Sequence, residues 1–193
     1  MTPPQKATRR ARQSTTLAAF DEPIESPDQR TAVGRASRST TPRSAHAQYE
    51  SSVDRPDPVE VLVESNRTRL PDLVPLRYGR MAASPFAFLR GSALVMAHDL
   101  ATTPTSGLSV RLCGDAHIAN FGVFASPERR LVFDLNDFDE AADGPFEWDV
   151  KRLAASIEVA GREKGMSGAQ RRAVVVAAVT SYCEWMANYA EMT

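Results

Sequence analysis

Apolar positions change their spacing several times along the chain, and each change marks a boundary between elements. Up to about Arg55 the apolar residues Leu17, Phe20, Ile24 and Val33 stand alone among Ser, Thr, Pro, Arg and Ala. No helical or strand interval links them, so residues 1–56 are expected to form a disordered tail. Over residues 58–70, Val59, Leu62, Val63 and Asn66 recur at helical spacing, and Pro71 is placed to stop that helix. A second helix is expected to start at Pro85 with Ser84 as its cap. Its single apolar face would run through Phe88, Leu89, Ala93, Met96, Ala97 and Leu100.

The period then becomes two. Leu108, Val110 and Leu112 alternate with Ser109 and Arg111 as a strand ending at Gly114. Residues 121–124 and 131–135 read as two strands joined by the turn-forming Ser126-Pro127-Glu128-Arg129, which makes a β-hairpin. Two helices follow, over residues 146–164 and 167–189, with Gly165 as the break. The expected fold is α+β: helices flanking a small antiparallel hairpin, ordered from about residue 57 onwards.

Composition narrows the classes. The 193 residues are 42% hydrophobic and 24% charged with net charge −1, an ordinary soluble profile. The longest apolar stretch, residues 173–179, falls far short of the roughly 18 residues of a membrane span, so no membrane partner is expected. Balanced charge supplies no global field for nucleic acid. Two cysteines, Cys113 and Cys183, make no disulfide framework or metal spacing, and the expected compartment is a reducing cytoplasm. The first twenty residues hold Lys6, Arg9, Arg10 and Arg12 and no acid, a composition shared by transit peptides and basic tails; the tail is the simpler reading.

Candidate chemistry is concentrated in two polar stretches beside apolar strands, residues 114–122 (GDAHIANFG) and 134–140 (DLNDFDE). Carboxylates at the rim of an apolar region require compensation. Asn120 enters the first hairpin strand and Asp137 leaves the second, so antiparallel pairing sets them near one another. An amide oxygen and a carboxylate presented together suit Mg²⁺, with positions left for phosphate oxygens and water. Asp115, on the same loop, could accept a proton from a hydroxyl held near that metal. Asp and Asn also cap turns, which is the alternative for Asp115 and Asn120 taken alone. His117 is read as a loop anchor bonded to a backbone carbonyl rather than as a metal ligand. Arg90 suits a phosphate contact or a salt bridge equally. Cys113 reads as a buried thiol at the strand end, and Arg171-Arg172 as a solvated helix face.

An Asp, an Asn five residues on, a hairpin and then Asp-Phe resembles the catalytic and metal-binding loops of the protein-kinase-like superfamily, H-R-D-x-x-x-x-N and D-F-G. The aminoglycoside and choline kinase branch, with H-G-D-x-H-x-x-N, is closer to Cys113-Gly114-Asp115-Ala116-His117-Ile118-Ala119-Asn120. Asp149-Val150-Lys151-Arg152-Leu153 resembles the D-x-x-R-L of that branch, which implies that Asp149 props the catalytic loop and that Arg152 supports it. The blocks Ser84–Gly91, GDAHIANFG, Asn136–Glu140 and Pro145–Asp149 resemble the bacterial family known as domain of unknown function 2252, over about residue 70 to the end of the sequence.

The resemblance implies an ATP- and Mg²⁺-dependent phosphotransferase with Asp115 as base, Asn120 and Asp137 as metal ligands, a nucleotide partner and a hydroxyl acceptor. Cys113 replaces the first His of the motif, and Asp139 replaces the Gly of D-F-G, altering metal geometry or adding a third carboxylate. None of the ten glycines forms G-x-G-x-x-G. In the family the glycine-rich loop and its lysine follow the catalytic loop in permuted order. A partial, C-terminally truncated or split domain is therefore expected, an enzyme if it is extended beyond residue 193 or complemented by another chain, with Trp185, Met186 and Tyr189 on an uncovered helix face. Two further readings are a metal-dependent phosphoester hydrolase using Asp115, His117 and Asp137, and an inactive fragment or pseudokinase that binds a partner.

Overall fold

The structure, a computed structural model, describes residues 26–192. It is an α+β arrangement of seven α-helices and four short strands, the strands forming two separate antiparallel pairs. The expected disorder of residues 1–25 lies outside the described residues.

Residues 26–56 depart from the expected tail. Helix α1 (Pro27–Thr40) starts at a capping box in which Ser26 and Gln29 satisfy each other's backbone N–H groups, with Pro27 in the first turn. It buries no residue, which is why hydrophobic spacing did not reveal it. After it, the Thr41 hydroxyl donates to the Thr105 carbonyl at 3.0 Å and the His46 ring contacts the Pro104 carbonyl, tying this segment to the body.

Helix α2 (Pro58–Ser65) is capped by Asp57, which accepts from Val59 and Glu60. It ends five residues before the expected stop, with Asn66 as its C-cap. Its buried face is Val61 and Leu62 rather than Val59 and Val63, which are exposed. Helix α3 (Val74–Met81) follows, an element that the expected helices did not include. The long helix expected from Pro85 is two: α4 (Pro85–Gly91), capped by Ser84 onto Ala87, and α5 (Ala93–Leu100), broken at Ser92, whose φ of −121° leaves the helical range. Val61, Leu62, Met81 and Val95 form the helical core with Tyr78 against them. Gly91 permits this closeness, since a Cβ there would meet the Met81 side chain at 2.6 Å.

Strand β1 (Ser109–Leu112) pairs with β4 (Ala142–Pro145), a strand that the Gly- and Asp-containing sequence did not announce. Between them, β2 (Phe121–Ala125) and β3 (Leu131–Leu135) form the expected hairpin, with Phe121 opposite Leu135. Its apolar side chains are not a core: Val123, Leu131 and Phe133 are each at least 67% exposed. Helix α6 (Glu147–Glu163) and α7 (Gly168–Glu191) flank Gly165, which has φ of +71°. Arg171 is not on a solvated face; it donates to Glu158 and to the Met166 carbonyl, joining the two helices. No helix among the described residues is long and apolar enough to cross a membrane.

Candidate functional site

The loop that leaves β1 is held from below by one polar edge of α6. Asp149, Arg152 and Ser156 lie three and four residues apart, so successive turns present them on the same side. The Asp149 carboxylate accepts the N–H groups of Cys113 at 2.7 Å and Gly114 at 3.0 Å. Arg152 donates through Nε to Asp115 Oδ1 at 2.5 Å. Ser156, fully buried, accepts from the Ile118 N–H at 2.9 Å and donates to the Leu153 carbonyl. Three consecutive contacts thus seat residues 113–118.

The loop's shape needs Gly114. Its φ is +84°, a left-handed conformation that side chains disfavour, and an added Cβ would collide with the Glu140 carbonyl. The loop then closes on itself: His117 N–H donates to the Asp115 carbonyl, and the Asn120 side-chain amide donates to the same carbonyl at 2.9 Å. That bond uses Nδ2 of the buried Asn120 and leaves Oδ1 free of it. The Asn136 N–H donates to the Asn120 carbonyl at 3.0 Å, which ties the residue before Asp137 to Asn120. Gly122 makes room, since a Cβ there would press Asn136 at 2.7 Å.

Asp115, His117, Asn120 and Asp137 line one cavity of about 950 Å³. Asp137 is exposed and its Oδ1 accepts the Asp139 N–H. Asp139 acts there through its backbone, and its side chain does not line the cavity. Arg90 does line it, and no carboxylate lies within ion-pair distance of Arg90 among the described residues. No group of three His, Cys, Asp or Glu side chains that could hold a metal ion occurs among the described residues. A metal bound at once by Asp115, His117 and Asp137, as the hydrolase reading requires, does not fit that arrangement.

His117 is 2% exposed, and its Nδ1 has no hydrogen-bond partner. The expected anchor to a backbone carbonyl is absent; Nε2 instead faces Asp115 Oδ2 at 3.6 Å, longer than a hydrogen bond. Burial holds the imidazole below its ordinary value of 6.5, the Asp115 charge opposes this, and Arg152 and Arg90 add to it. Burial also raises the Asp149 carboxyl, with the Cys113 and Gly114 N–H groups pulling it back. The Cys113 thiol is raised by burial too, which suits a packed thiol and not a nucleophile.

Spacing alone overlooked Ser156 and the arginines Arg69, Arg77 and Arg80 that share the cavity. Arg77 and Arg80 are three residues apart, which places them together once α3 is known to be a helix.

Residues 69–193 match the model of a family described as an uncharacterized protein conserved in bacteria, DUF2252. The chain belongs to this family. The DUF2252 match covers every residue of the cavity wall named above and the whole of α6. No curated protein and no solved structure matches the chain.

Replacing Arg152 in this DUF2252 chain strands the Asp115 carboxylate, so Arg152→Met should cost about 3 kcal/mol in urea denaturation. Adding Asp115→Asn should recover part of that loss, because no charge is left without its partner. Because the folded protein resists protonating His117 and the unfolded chain does not, that residue's contribution is full above pH 6.5 and is lost as pH falls below it. The urea midpoint of the wild type should fall more than that of His117→Gln between about pH 7.5 and about pH 5.5.

Proposed function

We propose that this chain bears the catalytic loop and metal ligands of a Mg²⁺- and ATP-dependent phosphotransferase of the protein-kinase-like superfamily. One observation carries the reading: Asp115, Asn120 and Asp137, separated by a loop and a hairpin, line a single cavity with their loop clamped from α6.

Each residue's part follows from its contacts. Arg152 orients Asp115 through Oδ1, and no described hydrogen bond uses Oδ2, which is left to take a proton from an acceptor hydroxyl in the cavity. The Asn120 amide is oriented by its bond to the Asp115 carbonyl, so its oxygen is free for a cation. Asp137 keeps one carboxylate oxygen beyond the bond from Asp139. This pair of hard oxygen donors fits Mg²⁺, which takes one or two protein oxygens and fills its remaining positions with phosphate and water. When bound, the ion neutralises charge on the phosphates. Asp149 and Ser156 act as positioning residues by holding the loop backbone.

The sequence contains no G-x-G-x-x-G, so this chain holds the nucleotide through the Mg²⁺ on Asn120 and Asp137, and a complementing segment or chain adds the further grip on the triphosphate. The free cysteines Cys113 and Cys183 support a reducing cytoplasm as the compartment of this reaction.

Calorimetric titration of the chain with ATP should show binding with Mg²⁺ and about tenfold or greater weakening when Mg²⁺ is chelated or in Asp137→Asn. ATP binding indifferent to both changes, or no binding with Mg²⁺ present, would sink the reading.

A further inference from the structure

The wall of the cavity opposite the catalytic loop is basic. Arg69, Arg77, Arg80 and Arg90 all line it, contributed by the segment before α3, by α3 itself and by α4. Among the described residues, Arg69 alone of the four has a carboxylate within ion-pair distance, Glu140 at 3.7 Å with both side chains nearly half exposed. Arg77 is half-buried and directs its guanidinium to neutral oxygens, the Asn66 side chain at 2.7 Å and the Gly91 carbonyl at 2.6 Å. Arg80 and Arg90 make no ion pair among the described residues.

Guanidinium groups repel when more of them are gathered than the carboxylates that pair with them. Burial lowers the Arg77 guanidinium, and the nearby Arg69 charge lowers it further. A second feature points the same way. The His117 ring lines the same space, is almost wholly buried, and leaves Nδ1 without a partner. A neutral imidazole offers one N–H donor, and an arginine fork matches the paired oxygens of a phosphate or carboxylate.

We infer that this wall binds an oxyanion, a phosphate or carboxylate group carried by the hydroxyl acceptor, so that the substrate of the proposed transfer is itself an anion. The inference rests on the proposed phosphotransfer for the word acceptor; the anion site stands on the arginines and His117. Fixing the anionic end on Arg77, Arg80 and Arg90 would leave the rest of the molecule to cross the cavity, with its hydroxyl turned towards Asp115.

The test titrates the full chain with inorganic phosphate and with succinate, separating the two sources of the anion. One or both should bind, and the double variant Arg80→Gln/Arg90→Gln should weaken binding about tenfold or more while its circular dichroism and melting curve stay unchanged, both residues being exposed. Asp137→Asn should leave anion binding intact, and the anion should bind together with Mg²⁺-ATP. No binding of either anion, or binding indifferent to the double variant, overturns the site. Competition between the anion and Mg²⁺-ATP overturns the acceptor role, because the arginines would then hold the nucleotide. Arginine-dependent anion binding without any ATP binding upholds the site and removes the phosphotransfer reading, so the two failures are told apart.

Discussion

A buried guanidinium organises this molecule. Arg152 is 2% exposed and reaches three parts of the fold: the Asp115 carboxylate, the Leu89 carbonyl at the end of α4, and the Met96 sulfur on α5. A charge so far from water is tolerated only with its hydrogen bonds satisfied, which requires the loop and both helices to be in place together. The interaction that seats the loop is thus the same one that docks α6 on the helical layer. Asp149 and Ser156 extend it along the helix, so residues 113, 114, 115 and 118 are each held from α6.

The loop supported in this way brings groups of opposite character to one cavity. Carboxylates and an amide line the side formed by the loop and hairpin, and arginines line the side formed by α3 and α4. Neither side is self-sufficient: Arg77, Arg80 and Arg90 have no ion-pair partner among the described residues, His117 lacks a partner at Nδ1, and Asn120 uses its nitrogen and not its oxygen. Such incompleteness is expected where a fold retains strain or unsatisfied polarity for a ligand. The exposed apolar hairpin, by contrast, positions Asn120 and Asp137 through backbone register alone, with Phe121 opposite Leu135.

Legibility in the sequence followed the range of the interactions. Local signals were readable: the Ser84 cap, the hairpin with its Ser126–Arg129 turn, and the break at Gly165 all arise within a few residues. Elements whose existence depends on distant partners were not. β4 is a strand only because β1 lies beside it, and the break at Ser92 lies inside a continuous apolar periodicity. The α1 helix was missed for the opposite reason, since it is specified by its cap and buries nothing. At the site, Asp115, Asn120, Asp137, Asp149 and Arg152 were readable as a motif with fixed spacing. The basic wall was not, because Arg69, Arg77, Arg80 and Arg90 converge only through the packing of α3 on α4.

The central claim is that a divalent cation sits between Asn120 and Asp137, and Mn²⁺, a paramagnetic substitute for Mg²⁺, reports its position directly. In nitrogen–proton NMR spectra, substoichiometric Mn²⁺ should broaden the Asn120 side-chain amide and the backbone N–H of Asp137 together, leaving α7 resonances sharp, because paramagnetic broadening fades steeply with distance. Broadening that spares Asn120, or that appears first at carboxylates elsewhere such as Glu163 or Glu191, would contradict it.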